Sequence, residues 1–501
     1  MEAIRRLGFT VLFVLAATTL LQAAPTAPRM DTVQIVSNQG WSVDPHSIFY
    51  DNFDGTSSLS SRYLEYDSNG GDCVPITYEA LGGSGKSLRA KFQAGEVGAG
   101  GAKLVFGRNP MDYRNMAINP TEDYRDVYWR VYVKHQLDWT GNPAKMSRAT
   151  SFAGSNWSQA MIAHVWGGSG NSLCIDPASG VDANSNVVTN GYNDFSHLSW
   201  LGLRNSTYQV TATSESGHWT CIEAHVRLNT PGQSDGIFTL TIDGKLEASR
   251  TNLNWVNSWD DYGINAIFLE NYWNSGSPVT QERYFDDFVV STQPIGLAMS
   301  PTNPTVSKTA FRSTTAGTTQ SAWQIQVASS PTGTDTVWDS GTITSSGDST
   351  VVDAAHGTFA GSLAGRTELG KNEIYATRVR QRDNTGSWSS WSPWVQSIRT
   401  VPDYAIPTCA GDFDGDGRVG MGDYVMMAER WDSVVGSGVW NPYVDLDVDG
   451  CVGPGDYYRL RSLWGDGTGI PAMPSMVPEP ATLLLLGTGG LLLLRKRGRS
   501  M

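Results

Sequence analysis

The chain has 501 residues, a formal net charge of −13 and 17% charged residues, together with 54 glycines, 18 tryptophans and 19 tyrosines. The acidic excess argues against nucleic acid or an anionic membrane as a partner, and it disfavours a polyanionic substrate unless a local basic cleft offsets the overall sign. Low charge with abundant glycine and aromatic residues favours a β-rich extracellular protein, whose aromatic faces suit sugar rings.

The first predicted element is a secretory signal peptide over residues 1–24. Arg5 and Arg6 precede an apolar stretch from position 7 to 21, and Ala23 is a small residue suited to cleavage. A basic start, an apolar centre and a small-residue end are the layout of a segment that is removed after export. We therefore expect an exported protein.

Residues 47–296 predict one large antiparallel β-sandwich. Apolar and polar residues alternate in segments separated by Gly, Asn, Asp and Ser turns, as in strands with one buried face. An Asp-Gly pair at 243–244 predicts a tight hairpin turn. The opening segment Tyr50–Gly55 and the closing segment Glu282–Ser291 resemble the paired first and last strands of concanavalin A-like lectin/glucanase jelly rolls.

Two further segments of this domain, Tyr128–Lys134 and Phe268–Trp273, resemble the polysaccharide lyase branch of that superfamily. The sequence has no Glu-x-Asp-x-x-Glu motif, which counts against a retaining glucanase, because its two carboxylates must flank one glycosidic bond. The resemblance implies β-elimination from a uronic-acid polysaccharide. That reaction needs a base for the proton α to the carboxylate and a positive or hydrogen-bonding group on the carboxylate itself.

The candidate site combines cationic, imidazole, phenolic and aromatic side chains on the concave sheet. Strand alternation places His164 and Trp166 on one face, with Gln159 on the other unless a bulge intervenes. Tyr272 and Trp273 precede a Gly/Ser/Pro loop, so we expect exposed aromatic side chains at the rim. The predicted catalytic residues are Lys145, Arg148, His164 and Tyr272, and the predicted substrate-binding residues are Gln159, Trp166, Asn271, Trp273 and Arg283.

Each of these assignments has an alternative. His164 also fits a buried, hydrogen-bonded core histidine, and Lys145 and Arg148 also fit solvated charges. The alternative to a lyase is a non-catalytic carbohydrate-binding or adhesive surface protein built on the same jelly roll. Clustering of the four predicted catalytic residues around one cleft favours the enzyme, whereas their dispersal beside a flat Trp-lined face favours the binder.

A smaller β-sandwich is predicted over residues 298–400, between Pro-containing linkers. The segments Trp323–Val327 and Tyr375–Gln381, with the Trp-rich stretch 388–394, resemble a fibronectin type III domain. Alternating Arg and Trp on facing strands can form cation–π pairs. We expect instead that these tryptophans fill the core of the small sandwich, and that the domain is a spacer.

Residues 408–466 contain two acidic loops offset by 33 residues. Each loop has Asp at positions 1, 3, 5 and 12, Gly at position 6 and a main-chain carbonyl at position 7, and a hard cation such as Ca²⁺ takes about six to eight such oxygens. The predicted Ca²⁺ ligands are Asp412, Asp414, Asp416, Arg418 and Asp423 in the first loop and Asp445, Asp447, Asp449, Cys451 and Asp456 in the second.

The duplicated loop and helix resemble a type I dockerin. The resemblance implies a calcium-stabilised docking module with a cohesin-like or surface-scaffold partner. Positions 10 and 11 are Met421-Gly422 and Pro454-Gly455, where cohesin-binding dockerins commonly have a Ser/Thr-type pair. A purely structural, calcium-clamped spacer is the alternative.

In the C-terminal segment 477–501, Pro478, Glu479 and Pro480 precede an apolar run that is shorter than the roughly 20 residues of a spanning helix, and a basic cluster follows. This tripartite segment resembles the PEP-CTERM sorting signal of Gram-negative bacteria. The resemblance implies that an exosortase recognises the triplet, and that the protein reaches the cell surface or extracellular matrix; a weak membrane anchor is the alternative. The predicted fold class is mainly β: a jelly-roll β-sandwich, a smaller fibronectin III-like β-sandwich and a small α-helical dockerin-like calcium module.

Overall fold

A computed structural model describes residues 24–36, 39–110, 113, 115–142, 145–211, 216–407, 409–435, 437 and 439–465. The signal peptide predicted up to residue 24 lies outside these residues except for its last position, and the sorting signal predicted at 477–501 lies wholly outside them. Within the described residues, no helix combines the length and the apolar character needed to cross a membrane.

The described chain is mainly β, which confirms the predicted fold class. Its strands are β1 (Met30–Val33), β2 (Ser47–Asp51), β3 (Glu65–Asp67), β4 (Cys73–Ile76), β5 (Ser87–Phe92), β6 (Gly98–Val105), β7 (Asp126–His135), β8 (Lys145–Phe152), β9 (Gln159–Gly167), β10 (Ser172–Ser179), β11 (Ser199–Trp200), β12 (Arg204–Gln209), β13 (Thr220–Arg227), β14 (Gly236–Ile242), β15 (Lys245–Leu253), β16 (Ala266–Tyr272), β17 (Gln281–Ser291), β18 (Met299–Ser300), β19 (Thr305–Lys308), β20 (Gln320–Ala328), β21 (Thr336–Asp339), β22 (Ser349–Val351), β23 (Thr358–Phe359), β24 (Ile374–Asp383) and β25 (Val395–Thr400). The helices are α1 (Met421–Ala428) and α2 (Pro454–Leu463).

Two antiparallel sheets of 8 strands each form the jelly roll. The front sheet has the order β11-β10-β9-β8-β16-β6-β3, with β12 beside β10, and the back sheet has the order β15-β14-β13-β7-β17-β5-β4, with β2 beside β17. The closing strand β17 therefore pairs with the opening strand β2, as the jelly-roll resemblance implied. Side chains such as Trp129, Phe238 and Leu269 fill the space between the sheets.

A bulge on the front sheet decides which side chains reach its outer face. The register of β8 and β9 shifts where Ser151 pairs with Met161 and Phe152 pairs with Gln159, so Ala160 is the extra residue. A bulge reverses the alternation beyond it. The Gln159 side chain consequently lies on the same face as His164, which is the exception that the sequence left open.

The second β unit has a 6-stranded sheet, β18-β25-β24-β20-β21-β23, and a 3-stranded sheet, β1-β19-β22. Strand β1 lies before the jelly roll in the chain, yet it pairs with β19 of this unit. Trp323 and Trp338 are fully buried in the core between the sheets. The N-terminal segment therefore completes the second sandwich.

The prediction that Trp388, Trp391 and Trp394 fill this core is wrong. All three indoles are only partly buried, and they stack on arginine side chains of β24 at 4.4–5.7 Å from ring centre to guanidinium carbon. Inward positions of β24 such as Val379 already contribute to the core. The cation–π arrangement that the sequence allowed is the one that forms.

The α-helical unit follows the second sandwich and repeats one loop–helix motif. Helices α1 and α2 each begin at position 10 of an acidic loop and pack around Phe413, Tyr457 and Leu460. The Tyr443 hydroxyl donates a hydrogen bond of 3.0 Å to the main-chain oxygen of Gln39. This contact joins the unit to the segment that leads into the jelly roll.

Candidate functional site

An open pocket of about 590 Å³ lies on the outer face of the front sheet and is called the front pocket. Strands β3, β6, β8, β9 and β16 form its floor, and the segment around 192–200 forms one wall. Its lining residues are Glu65, Asp67, Gly98, Gly100, Gly101, Ala102, Lys103, Lys145, Trp166, Tyr192, Asn193, Phe195, Trp200, Leu269, Glu270, Asn271, Tyr272 and Asn274.

Glu270 is the centre of a charged network in the front pocket. Its Oε1 accepts hydrogen bonds of 3.0 Å from Arg148 Nη2 and from the Tyr192 hydroxyl. The Lys145 Nζ lies 3.9 Å from the same oxygen. Arg148 also donates to the Tyr192 hydroxyl and, at 2.7 Å, to Asn193 Oδ1. Because Arg148 is fully buried, it holds Tyr192 and Glu270 in place from below and does not reach the open part of the pocket.

The environment separates the proton affinities of Lys145 and Tyr192. Burial lowers the pKa of the Lys145 ammonium, and the nearby Glu270 only partly opposes that effect. Burial and then the charge of Glu270 raise the pKa of the Tyr192 phenol. The pKa values of Lys145 and Tyr192 are therefore shifted in opposite directions from their ordinary values, and such a separation suits a base and an acid.

Aromatic rings form a platform next to this network. The His164 ring stacks on Trp166 with centroids 4.1 Å apart, and Trp200 stacks on Trp166 at 5.7 Å. Trp200 and Phe195 are 43% and 38% exposed, so their faces are open to a ligand. Flat, exposed rings beside hydrogen-bonding groups suit the apolar faces of sugars.

His164 is the buried core histidine of the alternative interpretation. It is 1% exposed, its Nδ1 lies 3.2 Å from the main-chain oxygen of Asp176, and Trp166 covers its ring. Burial first and then Arg148 hold the pKa of His164 well below its ordinary value. His164 therefore supports the aromatic platform, and the structure does not place it where a substrate proton would be.

The other predicted residues divide into pocket and support. Lys145, Trp166, Asn271 and Tyr272 line the front pocket. Gln159 lies beneath it, since its Oε1 accepts a 3.1 Å hydrogen bond from the main-chain N–H of Asn193 and so fixes the wall segment. Gln159 reaches this face only because of the bulge at Ala160.

The predicted exposure of Trp273 is wrong. Trp273 is 5% exposed and packs on Phe92 and Trp139 at 5.6 and 5.9 Å between centroids. Plain alternation along β16 keeps Phe268, Glu270 and Tyr272 on the outer face, whereas Leu269 and Trp273 lie in the core between the sheets. Tyr272 therefore faces the pocket and Trp273 turns into the core.

Arg283 is also a supporting residue and does not line the front pocket. It is 1% exposed on the back-sheet strand β17, and burial lowers its pKa to about 9. It donates hydrogen bonds of 3.1 Å to His135 Nε2 and to the main-chain oxygen of Lys145, and one of 3.2 Å to Asn271 Oδ1. Arg283 thus crosses the core and positions two pocket residues from behind.

The pocket residues that the sequence predictions missed include Lys103, Tyr192, Phe195, Trp200 and Glu270. Glu270 could have been found, because it alternates with Phe268 on a strand whose outward face was already of interest. Tyr192 lies outside any strand, in the connection between β10 and β11, so its position depends on how that connection folds. Lys103 comes from β6, which has many glycines and carries little pattern of its own.

The two acidic loops form a candidate metal centre. Carboxylate oxygens of Asp445, Asp447, Asp449 and Asp456 can all lie within 4.8 Å of one another, and so can those of Asp412, Asp414 and Asp423. The hydrogen bonds repeat between the loops: Gly417 N–H donates to Asp412 and Gly450 N–H to Asp445, both at 3.0 Å. Asp416 is outside the first cluster, and the carbonyls of Arg418 and Cys451 stay predicted ligands.

Two observations fit a cation in these loops. The Oδ1 atom of Asp445 is buried without a hydrogen-bond partner among the described residues. A Cβ atom at Gly455 would lie 1.5 Å from Asp447 Oδ2, and one at Gly422 would lie 2.0 Å from Asp414 Oδ2. Glycine at loop position 11 therefore leaves room for the carboxylate of position 3.

Two family models match parts of the chain. Residues 292–398 match the model described as Rha78A-like, N-terminal immunoglobulin domain, and residues 477–499 match the PEP-CTERM protein-sorting motif. The second sandwich is therefore Ig-like, and the sorting motif indicates an exported protein. No curated protein matches this chain in sequence.

Several solved structures are similar to part of this chain at low identity and low TM-score. The endo-β-1,4-glucuronan lyase of the fungus Trichoderma reesei is 14% identical, with a TM-score of 0.34 over 49% of this chain and 96% of that one. The marine PL-14 alginate lyase of Aplysia kurodai is 12% identical, with a TM-score of 0.34 over 49% of this chain and 99% of that one. The cellulose induced protein Cip1 is 12% identical, with a TM-score of 0.27 over 50% of this chain and 100% of that one. These similarities concern the fold alone.

Proposed function

We propose that this exported protein is a polysaccharide lyase that cleaves a uronic-acid polymer by β-elimination in the front pocket. The observation that carries the proposal is the convergence of Lys145, Tyr192 and Glu270 beside an aromatic platform in one open pocket. Lys103 and Lys145 line the front pocket beside Glu65, Asp67 and Glu270, so the pocket gathers cations within an acidic protein without a net positive charge. In the proposal these two lysines pair with the carboxylate of the sugar.

In the proposed reaction, Lys145 is the base and Tyr192 is the acid. The neutral Lys145 amine takes the proton α to the uronate carboxylate, and the electron pair of that C–H bond forms a carbon–carbon double bond. The bond from the β carbon to the glycosidic oxygen breaks, and that oxygen takes the proton of the Tyr192 hydroxyl. Lys103, whose Nζ lies 5.1 Å from the centre of the Tyr192 ring, stabilises the charge on the carboxylate.

The test is incubation of the mature protein with alginate, glucuronan and polygalacturonate, followed by ultraviolet absorbance of the unsaturated product. We expect Lys145→Met and Tyr192→Phe each to reduce turnover by about 10²-fold or more, the scale of a lost acid or base. Lys245→Met is the matched control, because Lys245 is 69% exposed on the back sheet. A Lys145→Met variant that retains full turnover would rule out the proposed base.

The second candidate is a non-catalytic carbohydrate-binding or adhesive protein. The exposed rings of Trp200 and Phe195 favour it, since stacking platforms alone can retain a glycan. In that case no polymer of the panel gives an unsaturated product, and Trp200→Ala weakens retention on an immobilised polysaccharide. Loss of retention without any turnover in the wild type would select this function.

The other regions serve location and spacing in the same proposal. Two Ca²⁺ ions bind the acidic loops, and the loop–helix unit is a dockerin-like module that docks to a cohesin-like or surface-scaffold partner or acts as a rigid spacer. The Ig-like domain is a fibronectin III-like spacer. An exosortase processes the tail at Pro478-Glu479-Pro480, which leaves the protein at the surface of a Gram-negative cell.

A further inference from the structure

A stripe of arginines on the Ig-like domain lies outside every site described so far. Arg378, Arg380 and Arg382 are alternate residues of β24, so their side chains leave the same face of the sheet. All three are partly exposed. Together with Trp388, Trp391 and Trp394 they are called the arginine–tryptophan ladder.

The guanidinium groups of Arg378 and Arg380 each lie between two indole rings. The guanidinium carbon of Arg378 is 4.6 Å from the ring centres of both Trp391 and Trp394. That of Arg380 is 4.4 Å from Trp388 and 4.5 Å from Trp391. Stacking on both faces fixes the plane of the guanidinium and leaves only its edges for hydrogen bonds.

Two serines hold the tryptophan segment against β24. Ser389 N–H donates to the main-chain oxygen of Gln381 at 2.8 Å, and Ser389 Oγ accepts from Gln381 N–H at 3.1 Å. Ser392 makes the same pair of contacts with Val379, at 2.8 and 3.0 Å. The segment is therefore fixed at two points, and the indoles between and beside these serines are held in register with the arginines.

One edge of the guanidinium group of Arg378 and of Arg380 already donates hydrogen bonds to a glutamine side chain. Gln326 Oε1 accepts from Arg378 Nε at 2.8 Å, and Gln324 Oε1 accepts from Arg380 Nε at 3.0 Å. Asp339 accepts from the amide groups of both glutamines at 2.6 and 2.7 Å, which fixes their orientation. The Nη1 groups point away from these contacts, and no hydrogen bond or salt bridge within the described residues uses them.

The ladder is thus a preorganised row of positive charge in an acidic protein. Residues 298–400 contain 8 Lys and Arg against 7 Asp and Glu, whereas the whole chain has a net charge of −13. Arginine edges bind carboxylates in a bidentate geometry, and side chains that are already fixed lose little entropy on binding. Indole rims beside each guanidinium can contact sugar rings at the same time.

We infer that the arginine–tryptophan ladder is a binding site for an acidic polysaccharide whose carboxylates pair with the outward edges of Arg378, Arg380 and Arg382. This site is separate from the front pocket and does not require that the pocket be catalytic. A second point of attachment on the same polymer raises the local concentration of glycan for the rest of the protein.

The test is affinity electrophoresis of the full mature protein in native gels that contain polygalacturonate or the same polymer with its carboxylates methyl-esterified. A Lys145→Met/Trp200→Ala background removes the contribution of the front pocket. We expect polygalacturonate, and not the ester, to retard this background protein. Arg382→Gln should weaken retardation about threefold, and the triple change Arg378→Gln/Arg380→Gln/Arg382→Gln at least about tenfold, the scale of exposed charge pairs.

Arg366→Gln is the matched control, because Arg366 is an exposed arginine of the same domain outside the ladder. It should leave retardation unchanged. Arg382 contacts a single indole, at 5.7 Å, so Arg382→Gln tests the site even if the triple variant unfolds. Equal retardation of the background and Arg382→Gln proteins, or no retardation by polygalacturonate, would overturn the inference. Ladder-dependent binding of single-stranded DNA in place of polygalacturonate would also overturn it.

Discussion

The front pocket and the second acidic loop both contain several charged side chains around a largely buried carboxylate. The charges are paired within the pocket, whereas those of the loop all have the same sign. In the pocket, Glu270 accepts hydrogen bonds from Arg148 and Tyr192, with Lys145 at 3.9 Å. In the loop, several carboxylates converge, and the buried Oδ1 of Asp445 has no hydrogen-bond partner among the described residues. The charges of the pocket are paired within the protein, whereas we propose that the carboxylates of the loop require a bound cation.

The largest expected effect of this difference is on calcium removal. Chelation should unfold the loop–helix unit, because repelling carboxylates lose the ion that holds them together, while the jelly roll stays folded. Calorimetry of the full mature protein should show one transition that disappears with chelator and a jelly-roll transition that does not move. Identical thermograms with and without chelator would contradict the charge imbalance of the loops.

The second prediction is a smaller loss of stability when one partner of the paired charges in the front pocket is removed. Glu270→Ala leaves the fully buried Arg148 without its carboxylate, so the free energy of unfolding should fall by about 3–5 kcal/mol. Glu65→Gln is the control: its side chain is 48% exposed in a pair with Lys103, and its loss should cost no more than about 1 kcal/mol. Denaturant titration compares the two variants, and equal losses would show that burial does not decide the cost.

A single glycine sharpens the comparison within the loops. Gly455→Ala places a Cβ atom where Asp447 Oδ2 now lies, so the second loop should bind Ca²⁺ at least about tenfold more weakly while the first is unchanged. Gly453→Ala is the matched control, because the nearest atom to its added Cβ is 3.9 Å away. Calorimetric titration that finds two unchanged sites in Gly455→Ala would separate the glycine from metal binding.

The smallest expected effect concerns protons at the front sheet. The pKa of His164 is lowered in the fold by burial, so below pH 6.5 the unfolded chain takes up a proton that the folded chain does not. Stability that is present above pH 6.5 is therefore lost as the pH falls, at up to about 1 kcal/mol per pH unit for this site. His164→Phe should show a shallower loss between pH 7.5 and 5.5 than the wild type.

Other titrating groups change the stability with pH in the opposite direction to His164. The wild type is therefore compared with His164→Phe. Burial raises the pKa of Asp176 to about 6, so this carboxyl stabilises the fold at low pH and loses that contribution as the pH rises through 6. Its effect is common to both proteins and cancels in the difference. Equal slopes for wild type and His164→Phe would show that His164 is not held neutral.

The sequence predicted most where the information is local. The strand alternation of the jelly roll and the turn at Asp243-Gly244 are confirmed, and both turn residues have the positive φ angles that a tight hairpin requires. The repeat of 33 residues predicted matching loops, and the structure shows matching hydrogen bonds in both. Each of these features depends on residues that lie within a few positions of one another, so it can be predicted from a short stretch of sequence.

The candidate site was predictable only in part, because its geometry depends on register and on distant segments. Lys145 and Tyr272 were found from their chemistry, but the same reasoning assigned Trp273 to the wrong face. Plain alternation from Phe268 to Tyr272 already turns Trp273 inward, whereas no local pattern announces the bulge at Ala160 that brings Gln159 to the front face. Tyr192 comes from a connection whose path is fixed by contacts with β8 and β16.

By itself, the sequence determined the β-rich class, the order of the regions and the acidic loops, because periodicity and composition fix which residues prefer strands, turns and metal-ligating loops. The tertiary structure alone decided that β1 closes the second sandwich, that the tryptophans at 388–394 stack on arginines, and that Glu270 joins Arg148 to Tyr192. These are contacts between residues far apart in the chain. Their energies depend on burial and distance, which the fold as a whole sets.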